Sequence, residues 1–433
     1  MRVMFLAVSL LVGAACSASA LAADQPAKTL KECIAIAIEH HPTLKAAAAS
    51  VDAGTQRIWQ AASGYLPQIN ADYIATRQGT SVSARTQTQV GTTTTTYNFY
   101  NTGVSFSQRL FDFGKVLDSI RAAQASEQSL QADESTQRES VVLNVKQSYY
   151  NLLAARRLLG VADETLRQNQ QHLELAQGRF GVGLAPKFDV TSAQVQLATT
   201  ELNQLTARNN VSVARETLRN ALGLTQPMDF DIVDDLGAER IEITDDQALQ
   251  AAYDRRPELQ SIHAQQRADS EQIAALKKDY LPYLTGNGGY NWSGSNYPLQ
   301  SSWNIGAAVN LSIFNGGLTT AQIGEAEANL SNLKYNEEVL RQNIALEVRQ
   351  AVLNLQQAEE SIRVTEKGLQ QARENLDLAE GRYQTGVGNI IELTDAQASL
   401  TSAEANHVQA LYNYQTTIAS VEKATAQSLT GDE

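Results

Sequence analysis

The chain carries two copies of one pattern, and no other feature restricts its fold as much. Gly178-Arg179-Phe180 returns 203 positions later as Gly381-Arg382-Tyr383, and the same spacing carries Leu110-Phe111 onto Ile313-Phe314, Gly114 onto Gly317 and Ala193-Gln194 onto Ala396-Gln397. Nearer the N-terminus the spacing is 215, taking His41-Pro42 onto Arg256-Pro257 and Tyr65-Leu66-Pro67 onto Tyr280-Leu281-Pro282. The change of 12 falls between the Pro67/Pro282 and Phe111/Phe314 pairs, so the halves share one architecture and differ mainly in one loop.

Residues 1–22 read as a secretory signal: Arg2, an apolar run from Val3 to Ala15, and small residues leading to cleavage before Ala23. Lipidation at Cys16 is the second reading, disfavoured because Gly13-Ala14-Ala15 lacks the usual leucine. No later segment approaches the ~20 apolar residues of a spanning helix. The net charge of −13 leaves no basic footprint for nucleic acid. Once the signal is removed, Cys33 is left as a lone thiol, which excludes an internal disulfide or a cysteine-rich metal site.

Proline is absent between Pro67 and Pro186 and after Pro298. Two long helices are expected, over 112–180 and 315–383, each about 100 Å long at 1.5 Å per residue. Large residues recur every seven positions: Val145, Leu152, Leu159, Leu166, Leu173 and Phe180, then Val348, Leu355, Ile362, Leu369, Leu376 and Tyr383. Small ones follow three positions later, as in Ser148, Ala155 and Ala162, or Ala351, Ala358 and Ala372. This is coiled-coil patterning. The seam is narrow and the other faces polar, which suits a water-filled tube. A solid fibrous coiled coil is the blander alternative.

Between the helices, residues alternate apolar and polar with period two. Strands are expected over about 65–77, 97–111, 281–293 and 302–314. Trp303, Ile305, Ala307 and Val309 alternate with Asn304, Gly306, Ala308 and Asn310. Lengths near 9–11 residues suit a membrane β-strand, and Tyr65, Tyr73, Tyr97, Phe99, Trp292 and Trp303 would form an aromatic girdle. A soluble sandwich would alternate too, but the export signal and uncharged apolar faces favour membrane. Four strands cannot close a barrel, and an open edge in lipid strands backbone polar groups, so spanning strands require copies to associate.

From about Thr29 to Ala424 these residues resemble the TolC family of outer-membrane efflux and secretion channels. The resemblance rests on the duplicated helix–strand–strand–helix order and the Tyr-Leu-Pro run leading into each strand pair. It rests equally on the Phe111-Asp112-Phe113-Gly114 and Phe314-Asn315-Gly316-Gly317 exits and on two helix-tip turns. It implies a mainly α protein with a membrane β part: a homotrimer whose 12-stranded outer-membrane β-barrel continues as a periplasmic α-helical barrel. Residues 23–223 would be the first repeat, 224–244 a linker in a mid-tunnel collar, 245–424 the second repeat and 425–433 a flexible tail.

The tip turns, 181–187 and 384–390, are helix ends followed by reversal. The resemblance implies more. Val182, Gly183 and Leu184, with Gly386 and Val387, would dock a periplasmic adaptor (membrane fusion) protein. Tyr383 and Asp189 would form a latch holding the entrance shut, although the family's latch arginine falls at Gly388 here. Glu392 and Asp395 would ring the narrow end with carboxylates. An isolated acid on a helix is ordinarily a solvated face.

No chemistry competes with this reading. His40, His41, His172, His263 and His407 lack ligand spacing, and no Walker turn, dinucleotide fingerprint or nucleophile elbow is present. The Asn291-Trp292-Ser293 sequon sits in an expected strand and is discounted, and Thr92–Thr96 is expected in an exposed loop. The resemblance thus implies no enzyme and no cofactor. It points to a passive outer-membrane exit duct of a tripartite efflux or type I secretion system, conducting drugs or proteins from an inner-membrane pump driven by protons or ATP. The alternatives are a non-conducting periplasmic coiled-coil scaffold and a soluble adaptor.

Overall fold

The computed structural model describes residues 27–86, 89–236, 241 and 243–429, with backbone alone for 80–95. The expected secretory leader, Cys16 and the last four residues lie outside the described residues. Among the described residues a short strand β1 (Ala27–Lys28) leads into helix α1 (Leu30–His40), which begins with a capping box between Thr29 and Glu32. Helix α2 (Pro42–Ala62) starts with proline at its first turn, where the missing N–H costs nothing. After a single 3₁₀ turn at Ser63–Tyr65 come β2 (Gln68–Thr86), β3 (Gln89–Phe111) and the 67-residue helix α3 (Lys115–Gly181). Helix α4 (Lys187–Ala221) returns alongside α3.

Strand β4 (Asp231–Ile232) then pairs with β1 in parallel. The second repeat follows: α5 (Asp245–Arg255), α6 (Pro257–Lys277), a 3₁₀ turn at Lys278–Tyr280, β5 (Tyr283–Gly294), β6 (Gln300–Asn310), the 68-residue α7 (Leu318–Thr385) and α8 (Ile390–Thr425).

Neighbour relations fix the layout. Towards the sheet the helices run in the order α2–α3–α6–α7, and towards the opposite tips α4–α3–α8–α7. The antiparallel sheet has the order β2–β3–β5–β6. β2 and β6 are therefore edges, and α7 lies at one margin of the chain until its tip meets side chains of α3 and α4.

Apolar packing gathers in three places. Two clusters lie near the midpoints of α3 and α7. One joins Tyr149, Leu152 and Leu153 to Cys33, Leu218, Phe230 and Ile232, and the other joins Val348, Val352 and Leu355 to Ala252, Tyr414 and Val421. The 224–236 segment packs into the first cluster through Met228, Phe230, Ile232 and Leu236. The third cluster, of Leu376, Tyr383, Ile390, Leu393 and Leu400, lies at the tips.

Several boundaries differ from the sequence expectation. β2 runs nine residues past 77, and Thr92–Thr96 pairs with β2 instead of forming a loop. Threonine is β-branched and favours extended backbone even where apolar alternation fades. β6 ends at Asn310, so Leu311–Phe314 turn out of the ladder towards Gly316 and Gly317. The expected tail from 425 is not free at its start: Thr425 is buried, and the Leu429 amide donates to Glu422 Oε1 at 2.8 Å.

Candidate functional site: the membrane sheet and the helix tips

Strand register decides what each face of the sheet carries. Ile69 pairs with Phe106, Phe106 with Gly288 and Gly288 with Ile305; the next matching row is Ala71, Val104, Tyr290 and Trp303. Directly paired residues share a face, so one side is apolar across all four strands. Ile69, Trp303, Ile305 and Val309 are each more than 70 % exposed on it. A Cβ at Gly288 would come within 2.5 Å of the Phe106 ring, so glycine at 288 lets that ring lie across β5. The opposite side presents Asn70, Asp72, Ser105, Asn287, Asn291, Asn304 and Asn310. One face thus suits lipid and the other water, which is the arrangement of a membrane barrel wall.

Of the expected girdle residues, Tyr73, Trp292 and Trp303 lie on the apolar face, beside Tyr290. Tyr97 and Phe99 do not: they pair with Gln78 and Thr76 and so share the Asp72 face, and the Tyr97 hydroxyl donates to Gln78 at 3.0 Å. Crowding of aromatics in sequence does not reveal parity; pairing does. Tyr65 precedes the strand and donates to Asp112 Oδ1 at 3.0 Å, locking the turn into α3. From Tyr283 to Trp292 the strand covers about 30 Å at 3.3 Å per residue, close to the hydrocarbon thickness.

At the far end, α3 and α4 are joined by Val182–Pro186, and α7 and α8 by Gly386–Asn389. Gly183 and Gly386 hold φ of +75° and +79°, left-handed values that let each helix end abruptly. Val182, Leu184 and Val387 point into solvent, each at least 70 % exposed. Tyr383 is the opposite, 2 % exposed. Its hydroxyl donates to Asp189 Oδ2 at 3.3 Å, tying α7 to α4. Burial first, then the Asp189 charge, raises the phenol above its ordinary pKa, so it remains a donor at neutral pH.

Arg179, at the end of α3, donates from one Nη to the carbonyls of Tyr383 (2.7 Å) and Gln384 (3.2 Å), with its guanidinium 5.0 Å from the Tyr383 ring centre. Sequence reasoning did not single out Arg179, although the Gly-Arg-Phe/Gly-Arg-Tyr repeat contained it. Glu392 pairs with Arg382 at 3.3 Å, and its amide is capped by Asn389. Asp395 is exposed one turn further on. A Cβ at Gly388 would sit 3.0 Å from that of Arg382 and 3.2 Å from Glu392 Oε2, so the Arg382–Glu392 pair occupies the space a larger residue would need.

Comparison with known proteins agrees with this geometry. The chain matches the family described as Outer membrane efflux protein over residues 33–224 and 248–427. It is 26 % identical over 401 residues to outer membrane protein TolC of Escherichia coli K12, covering 86 % of this chain and 77 % of that one. It is 25 % identical over 388 residues to the probable efflux pump outer membrane protein TtgC of Pseudomonas putida, covering 87 % and 78 %. Its fold superposes on the crystal structure of the Campylobacter jejuni CmeC outer membrane channel with a TM-score of 0.78 at 19 % identity, covering 92 % and 85 %. With its duplicated helix–strand–strand–helix chain, its two-faced sheet and its two capped helix tips, the protein belongs to the TolC-type outer membrane efflux protein family, whose members are channels of the outer membrane and not enzymes.

Proposed function

We propose that this efflux channel works as a homotrimeric passive duct, receiving its cargo in the periplasm from an inner-membrane pump through an adaptor protein. The observation that carries the reading is the sheet: an apolar face more than 70 % exposed at Ile69, Trp303 and Ile305, bounded by two unpaired edges. In lipid those edges must be paired. Three copies of four strands would close a barrel of a size within the known range.

The helices support the same closure. Phe188, Val195 and Leu202 recur every seven residues on α4, and Val339, Leu346 and Leu353 do so on α7, all more than half exposed. These stripes lie on helices at opposite margins of the chain. A neighbouring copy would bring β2 beside β6, α2 beside the upper part of α7 and α4 beside its lower part. Inside one chain α6 and α8, the repeat equivalents of α2 and α4, both pack on α3, the equivalent of α7, and these contacts are the template for that junction.

The exposed Val182, Leu184 and Val387 would serve as the adaptor's apolar docking points, and Glu392 and Asp395 as the charged lining of the narrow end. Tyr383 and Asp189 would be the latch. The deciding experiment reconstitutes the purified protein in planar lipid bilayers and measures its mass in detergent. A trimer that conducts, weakly at rest and strongly once the tips are loosened, is expected; a monomer, or an assembled protein that never passes current, would refute the duct.

A further inference from the structure

We infer that Arg179 is the positioning residue that holds the periplasmic entrance closed in this chain, by clamping the backbone of the α7 tip. The inference rests on the duct reading and names a residue and a contact that the latch of Tyr383 and Asp189 does not include. Three observations converge on it. The same guanidinium nitrogen reaches two successive carbonyls in the last turn of α7, those of Tyr383 and Gln384, the first of which also accepts the Gly386 amide at 3.1 Å. A cation placed there also meets the negative end of the helix dipole. The guanidinium further lies over the Tyr383 ring, 5.0 Å from its centre.

The duplication sharpens the argument. Arg179 and Arg382 are repeat equivalents, as are Asp189 and Glu392. In the second repeat the equivalents pair with each other, Arg382 with Glu392 at 3.3 Å. In the first repeat both reach across to α7 instead, Arg179 to its backbone and Asp189 to the Tyr383 hydroxyl. Quasi-equivalent residues therefore do different work: the first-repeat pair reaches across to the second hairpin, while the second-repeat pair closes on itself. Gly388 supplies no charge, and the space beside it is taken. Arg179 is the cation that reaches the α7 backbone at the tip, about two turns along α3 from the His172–Glu380 contact of 3.4 Å.

The test uses the full-length assembled protein. Hydrogen bonds to a charged group are the strong ones, so Arg179→Gln should raise time-averaged conductance in planar bilayers by roughly tenfold. Arg179→Lys, which keeps the charge but not the fork, should fall between. Tyr383→Phe should open less than Arg179→Gln, because the clamped carbonyls survive that change. Wild-type conductance in Arg179→Gln alongside opening in Tyr383→Phe would overturn the clamp. So would loss of trimer assembly, since a contact confined to the tips leaves the sheet and the mid-length clusters intact. Amide hydrogen exchange gives a readout that needs no current: residues 384–388 should exchange roughly tenfold faster in Arg179→Gln, with mid-helix amides unchanged. Unchanged exchange there refutes the clamp. Faster exchange with no current in any variant supports the clamp and refutes the duct.

Discussion

Lys146 on α3 donates to Glu422 Oε2 on α8 at 2.6 Å, with both side chains less than a tenth exposed. This ion pair ties the long helix of the first repeat to the return helix of the second, halfway along the molecule. Removing one partner strands a buried charge. Lys146→Met alone should cost about 3 kcal/mol, seen as an earlier unfolding midpoint by circular dichroism in urea. Lys146→Met combined with Glu422→Gln should recover most of the loss, because glutamine still accepts from the Leu429 amide. An equal or larger loss in the double variant would show that the charges themselves are required.

Asp189 accepts the Tyr383 hydroxyl across the tip. Asp189→Ala removes that acceptor and leaves a buried phenol without its partner, a loss of about 1 kcal/mol per chain. Cells producing this variant should admit a bulky antibiotic that the parent excludes. Sensitivity equal to the parent, at equal protein level, would separate Asp189 from the closure.

The two faces of β6 give a direct test of orientation. Ile305 lies on the apolar face and its neighbour Asn304 on the polar one. Ile305→Arg places a cation against hydrocarbon, at about 2–4 kcal/mol if near the bilayer midplane, and should reduce outer-membrane assembly sharply. Asn304→Arg should assemble normally and alter ion selectivity. Comparable damage from both would deny the sheet a lipid face.

Cys33 is fully buried within the mid-length cluster, and burial pushes its thiol up to about 12. A thiolate is the reactive species, so the native protein should resist maleimide for hours and label fully in urea. Fast native labelling would mean that this cluster opens readily.

Glu337 on α7 is held at about 2 by hydrogen bonds from His263 first, then Gln266, with burial opposing and Arg341 assisting. A carboxylate depressed in the folded state stabilises it above its unfolded value near 4.5, and that contribution drains away as pH falls towards 2. Glu337→Gln should therefore lower the unfolding midpoint at pH 7 and shrink the difference between variant and parent at pH 2.5. A constant difference across that range would place the effect in packing instead of charge.

Much of the architecture was legible in the chain itself. The 203-residue repeat, the heptads ending at Phe180 and Tyr383, and the period-two runs around Trp303 specify long helices, paired strands and two like halves, because these signals are local and periodic. Strand pairing was not legible: nothing in the order of residues reveals that Tyr97 and Phe99 share a face with Asp72 while Tyr73 and Trp303 share the other, since a one-residue shift in register reverses every side chain. Nor could the sequence distinguish Arg179 from its equivalent Arg382. Both follow the same glycine, yet one grips the neighbouring helix backbone and the other the glutamate ten residues on. Local chemistry set which elements form. Only the tertiary arrangement, by bringing α3 and α4 against the end of α7, decided which of two equivalent arginines meets the carbonyls of Tyr383 and Gln384.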